Sequence, residues 1–188
     1  AILWVSLPFV VWDVWATAQG HWAFSERYTL GWQLFGVPLE ELLFFVVVPL
    51  ACMAVWFLLP DRRRVSYRRA RRMLIAAGTF GLGLSIFMMP LSYSSIVLIA
   101  FGIAAIALSR AEWLISRRRF WIFQIWALGL FMVCNTYLTA LPIVIYGVDA
   151  TAGVRVGAIP LEDFFYNFTL LNSFLAAFTW NQRTTFNR

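Results

Sequence analysis

Apolar runs long enough, or nearly so, to cross a bilayer take up most of this 188-residue chain and leave little sequence for anything else. They lie at roughly 1–18, 38–59, 73–91, 93–108, 120–141 and 159–180. At about 1.5 Å per helical residue, each spans or approaches the ~30 Å of a hydrocarbon core. Composition agrees: 62% of residues are hydrophobic and 13% charged, where soluble domains carry about a quarter charged. The expected fold is all-α, a polytopic helical membrane protein with six transmembrane helices in one domain, because the connections are short.

Orientation comes from arginine, the sole basic residue type apart from His21. Arg62, Arg63, Arg64, Arg68, Arg69, Arg71 and Arg72 fill the second connection. Arg110, Arg117, Arg118 and Arg119 fill the fourth, and Arg183 and Arg188 follow the last run. Arg27 and Arg155 stand alone on the other side. The positive-inside rule makes the heavy side cytoplasmic, and six crossings reproduce the alternation without conflict. The predicted location is the cytoplasmic membrane with the Arg-rich loops and the C-terminus inside. The net charge of +6 is explained by topology and anionic headgroups, so nucleic acid is not an expected partner.

Within this frame one stretch occurs twice: Val37-Pro38-Leu39-Glu40-Glu41 opens one apolar run and Ile159-Pro160-Leu161-Glu162-Asp163 opens the last. A charge within a bilayer span costs at least a few kcal/mol, so a duplicated acidic pair is better explained by chemistry than by packing. Helix-end complementation accounts for only about 0.3–1 kcal/mol per acid, and does not ask for the same local sequence twice. The likeness extends without a gap. The offset that takes Pro38 to Pro160 also takes Trp4 to Trp126, Phe9 to Phe131, Val11 to Val133, Thr17-Ala18 to Thr139-Ala140, Gly31 to Gly153 and Ala54 to Ala176. Asp13 falls on Asn135. The aligned helices point the same way, so the expected arrangement is two parallel repeats related by an axis along the membrane normal. Repeat one is 1–59, a linker and connecting helix occupy 60–91, and repeat two is 92–182. The run at 93–108 has no counterpart within the sequence. The expectation is therefore one further helix ahead of Ala1, giving seven in a three plus one plus three order. No signal peptide or lipidation motif is seen.

Several chemistries lack their residues. Cys52 and Cys134 lie in apolar runs without ligand partners and read as small core hydrophobes; His21 reads as a plain surface or interfacial residue rather than a proton carrier, and no metal cluster can be assembled. A retinal Schiff base needs a lysine, and there is none. Diphosphate chemistry needs acidic clusters for Mg²⁺, but the Arg-rich side carries only Asp61 and Glu112. No Gly-rich dinucleotide motif occurs, and no cofactor is expected. A parallel-repeat, proton-coupled transporter is the alternative reading, since intramembrane carboxylates can carry protons; the acids gather at one face rather than at the midplane, which weighs against it.

The doubled Pro-Leu-Glu-Glu and Pro-Leu-Glu-Asp openings, Trp12-Asp13-Val14-Trp15 and the Arg-rich stretch between the halves resemble the small integral-membrane lycopene cyclases of bacteria, archaea and fungi, in their fused form. That resemblance implies a carotenoid substrate entering from the lipid, lycopene first, and a β-type ring closed by isomerisation. Association with other carotenoid enzymes or with a second copy is compatible with it. The reaction asks for an acid that protonates a terminal double bond, a base that removes a ring proton, and a dry pocket for the cation between them. Burial and a neighbouring like charge both favour a neutral carboxyl, so one member of each pair is expected to stay protonated. Adjacent helical residues point about 100° apart, so one member of each pair faces a given site. Glu40 and Glu162 are the expected donors, Glu41 and Asp163 tune or relay, and Asp13 is the base or its orienting partner. Trp12, Trp15, Phe44, Asn135, Tyr137, Phe165 and Tyr166 are the expected substrate contacts, the aromatic faces stabilising the cation. Glu162, Tyr166, Thr169 and Ser173 form one polar stripe expected to face the bundle interior.

Overall fold

The computed structural model describes residues 2–61 and 63–186, so Ala1, Arg62 and Arg188 of the preceding section lie outside the described residues. Six long helices fall on the expected runs: α1 Ile2–Ala18, α2 Leu39–Leu58, α3 Tyr67–Phe87, α4 Ser92–Leu108, α6 Arg118–Ala140 and α7 Leu161–Phe186, with a single turn, α5 Glu112–Ile115, before α6. Helix α3 starts earlier than expected because Ser66 accepts from the Arg69 N–H as its N-cap. The first turn is thus built of arginines, which join a helix readily but carry no apolar signal. Three helices, Leu39–Leu58, Tyr67–Phe87 and Arg118–Ala140, are long and apolar enough to cross a membrane, and Ser92–Leu108 is a shorter apolar helix. The outward faces match. Trp4, Leu7 and Val11 on α1, Leu43, Val47 and Leu50 on α2, and Ile125, Trp126 and Val133 on α6 are all exposed, more contiguous apolar surface than a soluble monomer presents.

The purely α expectation needs one correction. Among the described residues the connections contain three two-stranded antiparallel ribbons: β1 Trp22–Phe24 with β4 Val144–Tyr146, β2 Gln33–Leu34 with β3 Val37–Pro38, and β5 Arg155–Val156 with β6 Ile159–Pro160. Strands this short leave no alternation to read. The β2–β3 turn has Phe35 and Gly36 both at positive φ, 54° and 80°, as a type I′ two-residue turn requires, and the β5–β6 turn has Gly157 at 64°. Both acidic motifs follow such a hairpin, and both hairpins are closed alike: the Leu39 N–H donates to the Trp32 carbonyl at 2.9 Å and the Leu161 N–H to the Val154 carbonyl at 2.9 Å. The third ribbon joins the two segments, pairing Trp22 with Tyr146, Ala23 with Ile145 and Phe24 with Val144. The central pair, Ala23 and Ile145, is itself separated by the offset that takes Pro38 to Pro160.

At the opposite end the two arginine-rich connections meet. Arg64 and Arg117 form a backbone bridge, the Arg118 N–H donates to the Arg63 carbonyl at 3.0 Å, and Arg117 pairs with Asp61. The Arg119 guanidinium lies 4.5 Å from the Trp56 ring centroid and donates to the Trp56 carbonyl.

Helix α4 is clamped between α3 and α7. On the α3 side a Cβ on Gly102 would lie 2.8 Å from the Gly78 carbonyl oxygen and 2.6 Å from Leu82 Cγ, so the close approach depends on glycine. The largest core cluster, with Trp56, Leu114, Phe120, Phe123 and Leu175, lies beside the arginine-rich end. A second, with Ala16, Trp22, Tyr93 and Val97, lies beneath the ribbons. The polar stripe on α7 is buried or half-buried, but Thr169 donates to the Phe165 carbonyl at 2.8 Å and Ser173 to the Thr169 carbonyl at 2.7 Å. These hydroxyls are satisfied by their own helix.

Candidate active site

A cavity of about 210 Å³ lies against the β1–β4 ribbon and is walled by α1, α2, α4, α6 and α7. A water needs only ~10–15 Å³ measured this way, so the space suits an organic group. Most of the wall is apolar, including Phe24, Phe44, Val48, Phe131, Val144, Leu170 and Leu171. Into it project three carboxyl groups, Asp13 from α1, Glu41 from α2 and Asp163 from α7, together with the Asn135 amide from α6.

The three acids have different surroundings. Asp163 is the most heavily held: Tyr93 Oη donates to its Oδ1 at 2.8 Å, and its Oδ2 accepts from Asn135 Nδ2 at 2.8 Å and from Tyr146 Oη at 2.5 Å. Asp13 accepts at Oδ1 from Trp22 Nε1 at 2.9 Å, while its Oδ2 is buried with no hydrogen-bond partner among the described residues. Glu41 is half-buried and has no hydrogen-bond partner among those residues. In the ribbon, Tyr146 has its phenol pushed well above the ordinary tyrosine value by burial, with the Asp163 charge adding to the effect, so it remains a donor. Beside it, burial holds the His21 imidazole below its usual value. That ring packs edge-on against Trp15 at 5.1 Å.

Glu40 and Glu162, the expected donors, do not line this cavity. Each turns back to the loop ahead of its own hairpin: Glu40 Oε1 accepts from the Leu30 N–H at 2.5 Å, and Glu162 Oε1 from the Ala152 N–H at 2.7 Å. Glu162 accepts also from Ser94 Oγ at 2.5 Å. The ~100° step between adjacent helical residues splits each pair, sending its first member to the hairpin and its second to the cavity.

Among the other expected contacts, Phe44, Asn135 and Tyr166 line the cavity, and Trp12, Trp15, Tyr137 and Phe165 do not. Trp12 packs behind Tyr166 at 5.1 Å, Phe165 packs on Phe101 at 4.9 Å, and Trp15 and Tyr137 are exposed. The sequence reading missed Trp22, Tyr93 and Tyr146. The common offset held a clue to one of them, since it takes Phe24 to Tyr146, aromatic at both positions. Among the described residues no three His, Cys, Asp or Glu side chains are grouped to hold a metal ion.

The molecule is therefore a mostly helical protein, with helices fit to cross a membrane, closed over an apolar cavity lined by three carboxyl groups and several aromatic side chains. The family model described as Lycopene cyclase matches residues 1–59 and 90–181, and the chain belongs to that family, whose general activity is carotenoid cyclisation. No curated protein and no solved structure matches it.

Proposed function

We propose that the protein closes β-type rings on the ends of a linear carotenoid, with lycopene as substrate, by an acid–base isomerisation run from side chains alone. The observation that carries this reading is the presence of three carboxyl groups in different hydrogen-bonding states on the wall of one apolar cavity. Glu41, without a donor to hold it as an anion, is the acid that delivers a proton to the terminal double bond. The neighbouring double bond then attacks the cation, forming the ring bond and moving the charge to a ring carbon. Asp163, on which three donors converge, is the carboxylate that takes a proton from beside that carbon. Asp13 returns the proton towards Glu41 through its open Oδ2. No electrons leave and no water enters. This assignment moves the donor role from Glu40 and Glu162 to the second member of the first pair. The faces of Trp22, Tyr93, Tyr166 and Phe44 supply cation–π stabilisation, about 2 kcal/mol or more per contact where water is excluded.

The membrane reading extends to six crossings. The first and fifth connections pair through β1 and β4 and the second and fourth through Arg64 and Arg117, which supports opposite faces for the two sets, the arginine-rich face being cytoplasmic. The twin hairpins, the symmetric register at Ala23 and Ile145, and family-match bounds close to those of the two copies support a duplicated unit with the cavity at its junction.

The test is pigment analysis of a lycopene-accumulating bacterial host producing the protein. Cyclic products from the wild type, lost in Glu41→Gln and Asp163→Asn at equal membrane content, are expected. Unchanged lycopene with the wild type inserted would overturn the reading.

A further inference from the structure

We propose that Asn135 and Tyr146, by filling both acceptor sites on Asp163 Oδ2, determine which ring isomer the enzyme makes. The inference rests on the reading of Asp163 as the base. A carboxylate has about four acceptor sites, two on each oxygen. On Oδ2 both are taken, by Asn135 Nδ2 and Tyr146 Oη. On Oδ1 one is taken, by Tyr93 Oη, and one is open. Proton abstraction therefore has a single direction available, through the free site of Oδ1. The donors come from α6, β4 and α4 and the carboxylate from α7, so four separate elements fix both torsions of a short side chain.

That direction matters because the ring cation has hydrogens on three neighbouring carbons. The proton added by Glu41 and the carbon–carbon bond formed are common to all outcomes. Only the last step differs: breaking one of three kinds of C–H bond, with its electron pair becoming the new double bond and its proton passing to Asp163. Three alkene isomers result, and which one forms depends on where the accepting lone pair sits to within a fraction of an ångström. Glu41, longer by a methylene and without such a hold, carries no comparable directional constraint.

Removing either Oδ2 donor opens a second site aimed elsewhere, whereas removing the Oδ1 donor enlarges the site already used. The experiment measures the ratio of ring double-bond isomers made from lycopene by membranes containing Tyr146→Phe, Asn135→Ala, Asn135→Ser or Tyr93→Phe, with Tyr67→Phe as a control. Tyr67 donates to the Ser109 carbonyl at 3.3 Å and does not line the cavity. The isomer ratio is read by chromatography and mass spectrometry on whatever product forms, so reduced turnover does not hide it. Tyr146→Phe and the Asn135 variants are expected to move the ratio by about two- to tenfold, the value of one hydrogen bond; Tyr93→Phe moves it less and Tyr67→Phe not at all. Wild-type ratios in Tyr146→Phe and both Asn135 variants, from an enzyme whose wild type does cyclise lycopene, would overturn this proposal and leave the cyclase reading standing. Absence of any cyclic product from the wild type would instead strike the cyclase reading.

Discussion

Replacing the members of each acidic pair one at a time separates two roles that the sequence presents as a unit. In Glu40→Gln the amide oxygen still accepts from the Leu30 N–H. The loss is the difference between a charge-assisted bond, about 1.5–3 kcal/mol, and a neutral one, about 0.5–1.5 kcal/mol. Glu162→Gln keeps both of its acceptor bonds, to Ala152 and Ser94, and loses about twice as much. These are stability terms outside the cavity, and they leave the barrier of the bound substrate unchanged. Glu41→Gln removes the proton itself, and general acid catalysis is worth about 10²–10⁴ in rate. The assay is lycopene consumption by isolated membranes, normalised to folded protein by immunoblot after detergent extraction. The expected order is Glu40→Gln and Glu162→Gln within a few-fold of wild type, and Glu41→Gln lower by at least 100-fold. If Glu40→Gln or Glu162→Gln fell as far as Glu41→Gln at equal folded protein, assigning the acid by position on the cavity wall would be wrong.

Three further outcomes follow from the same structure. A cavity of about 210 Å³ takes one end of the substrate at a time, so the monocyclic product should form in the membrane before the bicyclic one and accumulate under excess lycopene. Gly102→Ala should cost about 1–3 kcal/mol through overpacking against Gly78 and Leu82, seen as lost detergent-extractable folded protein, whereas Gly83→Ala, with open space around it, should be neutral. His21 has its imidazole below the ordinary 6.5 through burial, so the unfolded chain binds the proton more readily. Stability is whole above about pH 6.5 and falls as pH drops towards the lowered value; thermal unfolding midpoints of wild type should therefore fall further between pH 7.5 and 5.5 than those of His21→Phe.

Much of the fold could be read in the sequence because helices with apolar outer and core faces leave long apolar runs, and α1, α2, α4 and α6 begin and end within about two residues of them. The apolar run omits the start of helix α3 at Arg68, Arg69, Arg71 and Arg72, where hydropathy fails although the backbone is helical. Helix α7 outruns its apolar run for the same reason, its last residues, 181–186, being mostly polar. The ribbons escaped notice because two- and three-residue strands carry no period. For the site, the repeated motif pointed to both acidic pairs but not to which member of each faces the cavity. Both members are acidic, and the choice is made by the hairpins, whose Leu30 and Ala152 N–H groups draw Glu40 and Glu162 away from the cavity. Trp22 and Tyr146 reach the cavity only because β1 and β4 pair across more than a hundred residues, a contact without a local signal.

The central claim is that a carboxyl proton of the protein opens the reaction and a carboxylate closes it, with nothing else consumed. Cyclisation of lycopene by the membrane-embedded protein in D₂O, followed by mass spectrometry of the products, tests this directly, because the proton passed from Asp163 through Asp13 to Glu41 exchanges with solvent before the next ring is closed. The account predicts products isomeric with lycopene that carry one deuterium for each ring closed. Cyclic products without deuterium, or products differing from lycopene by water or by two hydrogens, would contradict it.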